Sequence, residues 1–206
     1  MSVREDRDPQ DGGATMIEVV VSMVVMSVVM SIFTTGIVAI YRVINKTESL
    51  SSTQIQITTA FQRLDRELRY ASAISQPNSV ALGGAYYAEY LMTNTGTDTC
   101  VQLRLKTSTS RLERRSWPQT AAPPTPSPWV LLVSPVARIQ SSPLLPFEFV
   151  PAGGTIHYQG LQLNVQTTAG TGPTATVRQT KVTFTALNTT IETASDAVCT
   201  EGRAIP

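Results

Sequence analysis

The sequence predicts an α+β protein in which a long N-terminal helix carries an antiparallel sheet. Three observations lead there. An uncharged apolar run lies near the start, an apolar stripe at helical spacing follows it, and alternating segments occupy the second half of the chain. With 42% hydrophobic and 15% charged residues, the composition is that of a folding chain rather than a disordered one. The formal charge of +1 gives no general attraction to nucleic acid, and no nucleic-acid contact is expected.

From Val19 to Tyr41, 23 consecutive residues carry no charge, and 17 of them are apolar or aromatic. As a helix this run reaches roughly 34 Å, enough to cross a bilayer core. Within it Ser22, Ser27, Ser31, Thr34 and Thr35 recur every few residues. Such small hydroxyl residues either let transmembrane helices approach one another or bond back to their own backbone. After Tyr41 the pattern continues as Leu50, Ile57, Phe61, Leu64, Leu68 and Ala71, an amphipathic stripe. Arg63–Glu67 and Asp65–Arg69 stand four residues apart and read as a solvated face. Pro77 disfavours helix at Gln76, so a single helix is predicted over 14–75, about 90 Å long, with 14–41 spanning the membrane.

Residues 76–206 read as a sheet-rich head. Val101, Leu103 and Leu105 alternate with Gln102, Arg104 and Lys106, and Thr107–Ser110 is a hairpin loop leading into Arg111–Trp117. Ile156 and Tyr158 start a second alternation that resumes at Leu161, Leu163 and Val165. The shift marks Gly160 as a bulge or bend, and Val182, Phe184 and Ala186 form a further strand. Segment 118–128 holds five prolines and is predicted to be an extended surface loop. Tyr86 and Tyr90, with Tyr87 beside them, offer either a ligand-binding surface or sheet packing.

Cys100 and Cys199 match no metal-ligand spacing, and no metal or cofactor is expected. If the head lies outside the cytoplasm they pair, closing a loop worth about 4.7 kcal/mol in the chain-entropy model. Otherwise they are two buried thiols. His157 is the only histidine, in a strand-like stretch, and no nucleotide-binding, zinc-protease or nucleophile-elbow motif occurs. The chain does not read as an enzyme.

The first thirteen residues, MSVREDRDPQDGG, are polar and end in Gly12-Gly13. A secretory signal is cleaved after its apolar region, whereas here the small residues precede it. Removal of residues 1–13 would therefore leave the apolar helix on the product. Glu18 stands at the start of that helix, where it either favours the helix dipole or pairs with a cation from a neighbour.

Gly13-Ala14-Thr15-Met16-Ile17-Glu18-Val19 resembles the processing motif of type IV prepilins. The likeness covers residues 12 to about 41. It implies that a prepilin peptidase cuts after Gly13 and methylates the new amine of Ala14. It also implies that Glu18 attracts the amine of an adjacent subunit during assembly. The first residue after the cut is alanine where that family usually has phenylalanine. Phe61–Ala71 is also similar, over a short stretch, to J-type pseudopilins and W-type minor pilins. Arg42 and Lys46 follow the span while Glu5, Asp6, Asp8 and Asp11 precede it, so the positive-inside rule alone leans the other way. The resemblance instead implies a single-pass inner-membrane protein with an extracytoplasmic head, incorporated into a filament. Its expected partners are the peptidase and other pilin or pseudopilin subunits. The expected function is a minor pilin or pseudopilin of a pilus or type II secretion system. An adhesin-like binding module, held in a membrane or filament, is the alternative.

Overall fold

A computed structural model describes residues 15–93, 96–119, 124–141, 143–169, 176–196 and 198–205. The chain divides into two units, Met1–Thr47 and Glu48–Pro206. Helix α1, Met16–Arg69, supplies the described part of the first unit and the opening of the second.

In the first unit every described residue from Thr15 to Asn45 is exposed, and Met16–Asn45 is long and apolar enough to cross a membrane. A helix suits such a run because it satisfies each backbone N–H and C=O internally, which lipid demands. The hydroxyls of Ser22, Ser27, Ser31, Thr34 and Thr35 each donate to the carbonyl four residues back, at 2.7–2.8 Å. Each hydroxyl thus bonds its own helix backbone.

In the second unit α1 buries Ile57, Ala60, Leu64 and Leu68. Phe61 meets Phe184 edge to face, with ring centroids 5.9 Å apart. Leu50's side chain lies outside the described residues. The helix ends at Arg69, short of the predicted Ser75. Ala71–Ile74 is instead strand β1, which pairs with the strand after it. Ala71, Ala73 and Ile74 satisfy a helical stripe and a strand pattern almost equally well. Ladder bonds decide for the strand, and Arg69 and Tyr70 give their carbonyls to Leu187 N–H and Asn188 Nδ2. Pro77 therefore follows a strand rather than stopping a helix.

The remaining strands are β2 Ala85–Met92, β3 Thr99–Lys106, β4 Arg111–Pro118 and β5 Val130–Val133, then β6 Ala137–Arg138, β7 Phe147–Val150, β8 Gln159–Ala169 and β9 Thr176–Ala186. The first five form an antiparallel meander in sequence order, here called sheet A. In sheet B, β8 pairs with β6 and β7, and also with β9, all antiparallel. Gly83 and Gly84, both at positive φ, close the turn between Leu82 and Ala85, a geometry that residues bearing a Cβ resist. Of the expected Pro-rich loop, Pro118 ends β4, residues 124–128 are irregular, and 120–123 lie outside the described residues.

One core cluster unites α1 with both sheets. It joins Leu64 and Leu68 to Ala88, Tyr90, Val101, Leu103 and Leu105 of sheet A, and to Phe147, Leu161, Leu163 and Phe184 of sheet B. Tyr86 and Tyr90 lie in this core, so packing rather than ligand binding occupies them. Gly160 is not a bulge: it stays in register between Val150 and Thr185. A Cβ there would meet Phe184 O at 3.2 Å and Val150 Cβ at 3.3 Å, so close backbone approach is what requires glycine. Ile156 and Tyr158 lie before β8 and are exposed, which corrects the expected alternation. His157 sits with them in the loop, not in a strand.

Candidate functional site

Glu18 lies in the first turn of α1. Its N–H donates to Thr15 O at 2.9 Å, and its own carbonyl accepts the Ser22 hydroxyl at 2.8 Å. With Val19, Ser22, Met23 and Met26 it lines a shallow open depression along the helix. Among the described residues no ion pair involves Glu18. A carboxylate at this point faces the positive end of the helix dipole and is open to a cation from outside the chain. Gly13 and Ala14, the expected processing residues, lie outside the described residues.

Cys100 and Cys199 form a disulfide, with Cα atoms 5.6 Å apart. It fastens the segment that includes a 3₁₀ turn, Thr200–Ala204, to the face of sheet A turned away from α1. Strand register explains the composition of that face. Tyr87, Arg104 and Glu113 stand in one cross-strand row, Glu89, Gln102 and Arg115 in the next, and Leu91, Cys100 and Trp117 in the third. In the middle row Gln102 donates to Glu89 at 2.8 Å and accepts from Arg115 Nε at 2.9 Å. In the first row Arg104 pairs with Glu113 at 2.6 Å, and Trp129 lies under the guanidinium groups of Arg104 and Arg115 at 3.8 and 4.1 Å.

The 3₁₀ segment completes this pattern. Arg203 pairs with Glu89 at 2.6 Å and donates to Gln76 O at 2.7 Å. Burial raises the Glu89 carboxyl above its ordinary range, although Arg203 and Gln102 oppose the shift. For Arg115, burial and then neighbouring Arg104 lower the guanidinium's pKa.

A second polar cluster pins α1 to the other face of sheet A. Glu67 accepts from Arg63 at 2.9 Å, from Arg114 at 2.8 Å and from the Tyr90 hydroxyl at 2.6 Å. Burial works against its charge, but Tyr90, Arg63 and Arg114 outweigh it and hold the carboxyl below its ordinary range. Burial, then the Glu67 charge, push the Tyr90 hydroxyl well up. The Arg63–Glu67 pair is thus half of an interface, not part of a solvated face. The Asp65–Arg69 pair, at 2.6 Å, is exposed as expected.

Neither polar cluster was foreseen. The one available sign was the density of charge in β4, Arg111-Leu112-Glu113-Arg114-Arg115, within a strand whose faces are both covered. His157 and Gly153-Gly154 line an open depression with Ile156, Thr190 and Ile191. Compared with known family models, characterised proteins and solved structures, the chain matches none.

Proposed function

We propose that this chain is a minor type IV pilin or pseudopilin, a structural subunit rather than an enzyme, anchored by the first part of α1. The observation that carries the reading is an exposed, membrane-length apolar helix with a carboxylate in its first turn, preceded by Gly13-Ala14. Cleavage after Gly13 would place a new cationic amine four residues before Glu18. Supplied by a neighbouring copy, that amine is the cation that the Glu18 carboxylate would meet. A disulfide-bearing head fits an oxidising compartment on the far side of the membrane. In this reading the partners are a prepilin peptidase and other pilin or pseudopilin subunits.

Intact-mass measurement on membrane-extracted protein tests the processing step. The expected species lacks Met1–Gly13 and carries one methyl group on Ala14, and a bulky residue at Gly13 leaves the precursor whole but inserted. A retained leader in cells with active prepilin peptidase refutes the reading. Glu18→Gln tests assembly: the variant should be cut and inserted normally yet fail to enter filaments. Removing one partner of a poorly solvated ion pair costs about 3–5 kcal/mol, on the order of a hundredfold or more in association. Normal incorporation of Glu18→Gln and Glu18→Ala would leave Glu18 only its place at the helix dipole.

A further inference from the structure

The outer face of sheet A holds the segment Cys199–Ile205 through contacts that depend on its sequence residue by residue. Trp117 Nε1 donates to Glu201 Oε1 at 3.1 Å. The Trp117 ring lies so close to Gly202 that a Cβ there would come within 2.4 Å of it. Glu89, with no exposed surface, takes Arg203 Nε on both oxygens, at 3.0 and 3.1 Å, and Nη2 at 2.6 Å. Arg115 Nη2 donates to the carbonyls of Gly202 and Ile205, at 2.8 and 2.6 Å. An acid read by an indole N–H, a glycine by an aromatic face, an arginine by a buried carboxylate and a backbone by a guanidinium together form a peptide-reading site. Trp and Arg are also the side chains that dominate binding hot spots.

The site is separate from the main core. Cys100, Trp117 and Cys199 form their own small cluster with Leu91 and Val198, while α1 and both sheets share the other. Emptying the site therefore uncovers one face of sheet A without opening the helix–sheet core. With the segment gone Glu89 keeps the bond from Gln102, and an incoming guanidinium restores the ion pair it has lost.

We propose that this face is a recognition site for a Glu-Gly-Arg peptide held in a 3₁₀ turn, with residues 201–203 of the same chain as resident ligand and the same segment of a second copy as its exchangeable one. The chemistry is selective. Lysine cannot span both Glu89 oxygens as arginine does, and any residue larger than glycine strikes Trp117. The Cys100–Cys199 bond ties the resident segment in place and so controls whether a second copy gains entry.

The test uses the full chain in detergent with Cys100→Ser, Cys199→Ser and Arg203→Ala together, which frees the resident segment. The probe is a fluorescent peptide of residues 198–205 with serine replacing Cys199, followed by anisotropy. The oxidised parent should exclude it, and the triple variant should bind it saturably. Arginine-to-lysine in the peptide should weaken binding about tenfold or more, and so should glycine-to-alanine. Glu89→Gln added to the triple variant should erase the preference for arginine. Hydrogen exchange in β2–β4 is the folding control. A variant that keeps that protection yet ignores the peptide overturns the site, and one that loses it shows the segment to be part of the core, which also overturns it. In a second arm the triple variant is mixed with a Cys100→Ser/Cys199→Ser/Glu89→Gln chain, whose segment is loose. Co-migration on size exclusion supports exchange between copies. Peptide uptake without co-migration overturns the second-copy half of the proposal.

Discussion

Gly202 lies against a Trp117 ring that its own bond to Glu201 holds in place, so the ring has nowhere to move. Gly202→Ala should lower stability by about 1–3 kcal/mol, the usual range for overpacking, read as a shift in urea midpoint of the oxidised protein. Glu67 has the opposite character: its charged form is the one the fold holds. Because its carboxyl lies below the ordinary value of 4.5, its contribution is present above that pH and is lost as the pH falls through the lowered value. Stability of the parent should therefore drop between neutral pH and the acid range more steeply than that of Glu67→Gln. Parallel urea titrations of the two proteins decide it, and equal slopes would show that Glu67 contributes nothing as a charge. Nothing in the sequence announced this role. Arg63–Glu67 looks like any surface pair at four-residue spacing, and Arg114 and Tyr90 are distant along the chain. The disulfide partners, by contrast, were legible because only two cysteines exist.

At the scale of elements, legibility followed whether side-chain polarity alternates along the strand. Strands β3, β8 and β9 showed period two because their inward residues, such as Leu103, Leu163 and Phe184, are apolar against polar neighbours. In β2, Ala85-Tyr86-Tyr87-Ala88-Glu89-Tyr90 is buried on both faces, so alternation vanishes. The same ambiguity hid β1, whose apolar residues continued the helical stripe. For α1 the stripe located the buried face correctly at Ile57, Leu64 and Leu68. Leu64→Ala should cost about 2–5 kcal/mol, because the residue is fully buried between helix and sheets. Ile55→Ala, on the exposed side of the same helix, should stay within about 0.5 kcal/mol. Chemical denaturation of both variants checks the face assignment. Similar losses at the two positions would mean that the helix packs differently.

For the whole molecule, the two units differ in what they bury. Residues 16–45 bury nothing within the chain. The second unit holds the shared core, both sheets and the disulfide. Its folding should not need the apolar run, since no described residue before Ile57 belongs to the buried core. A chain beginning near residue 46 is therefore expected to be soluble, monomeric and cooperatively folded, with far-ultraviolet circular dichroism dominated by sheet. Under oxidising conditions it should titrate no free thiol. Reduction should weaken it by a few kcal/mol at most, because an entropy cross-link acts mainly on the unfolded chain while the helix–sheet core persists. If that chain aggregates, or unfolds gradually without a cooperative transition, the apolar helix is part of the head's fold.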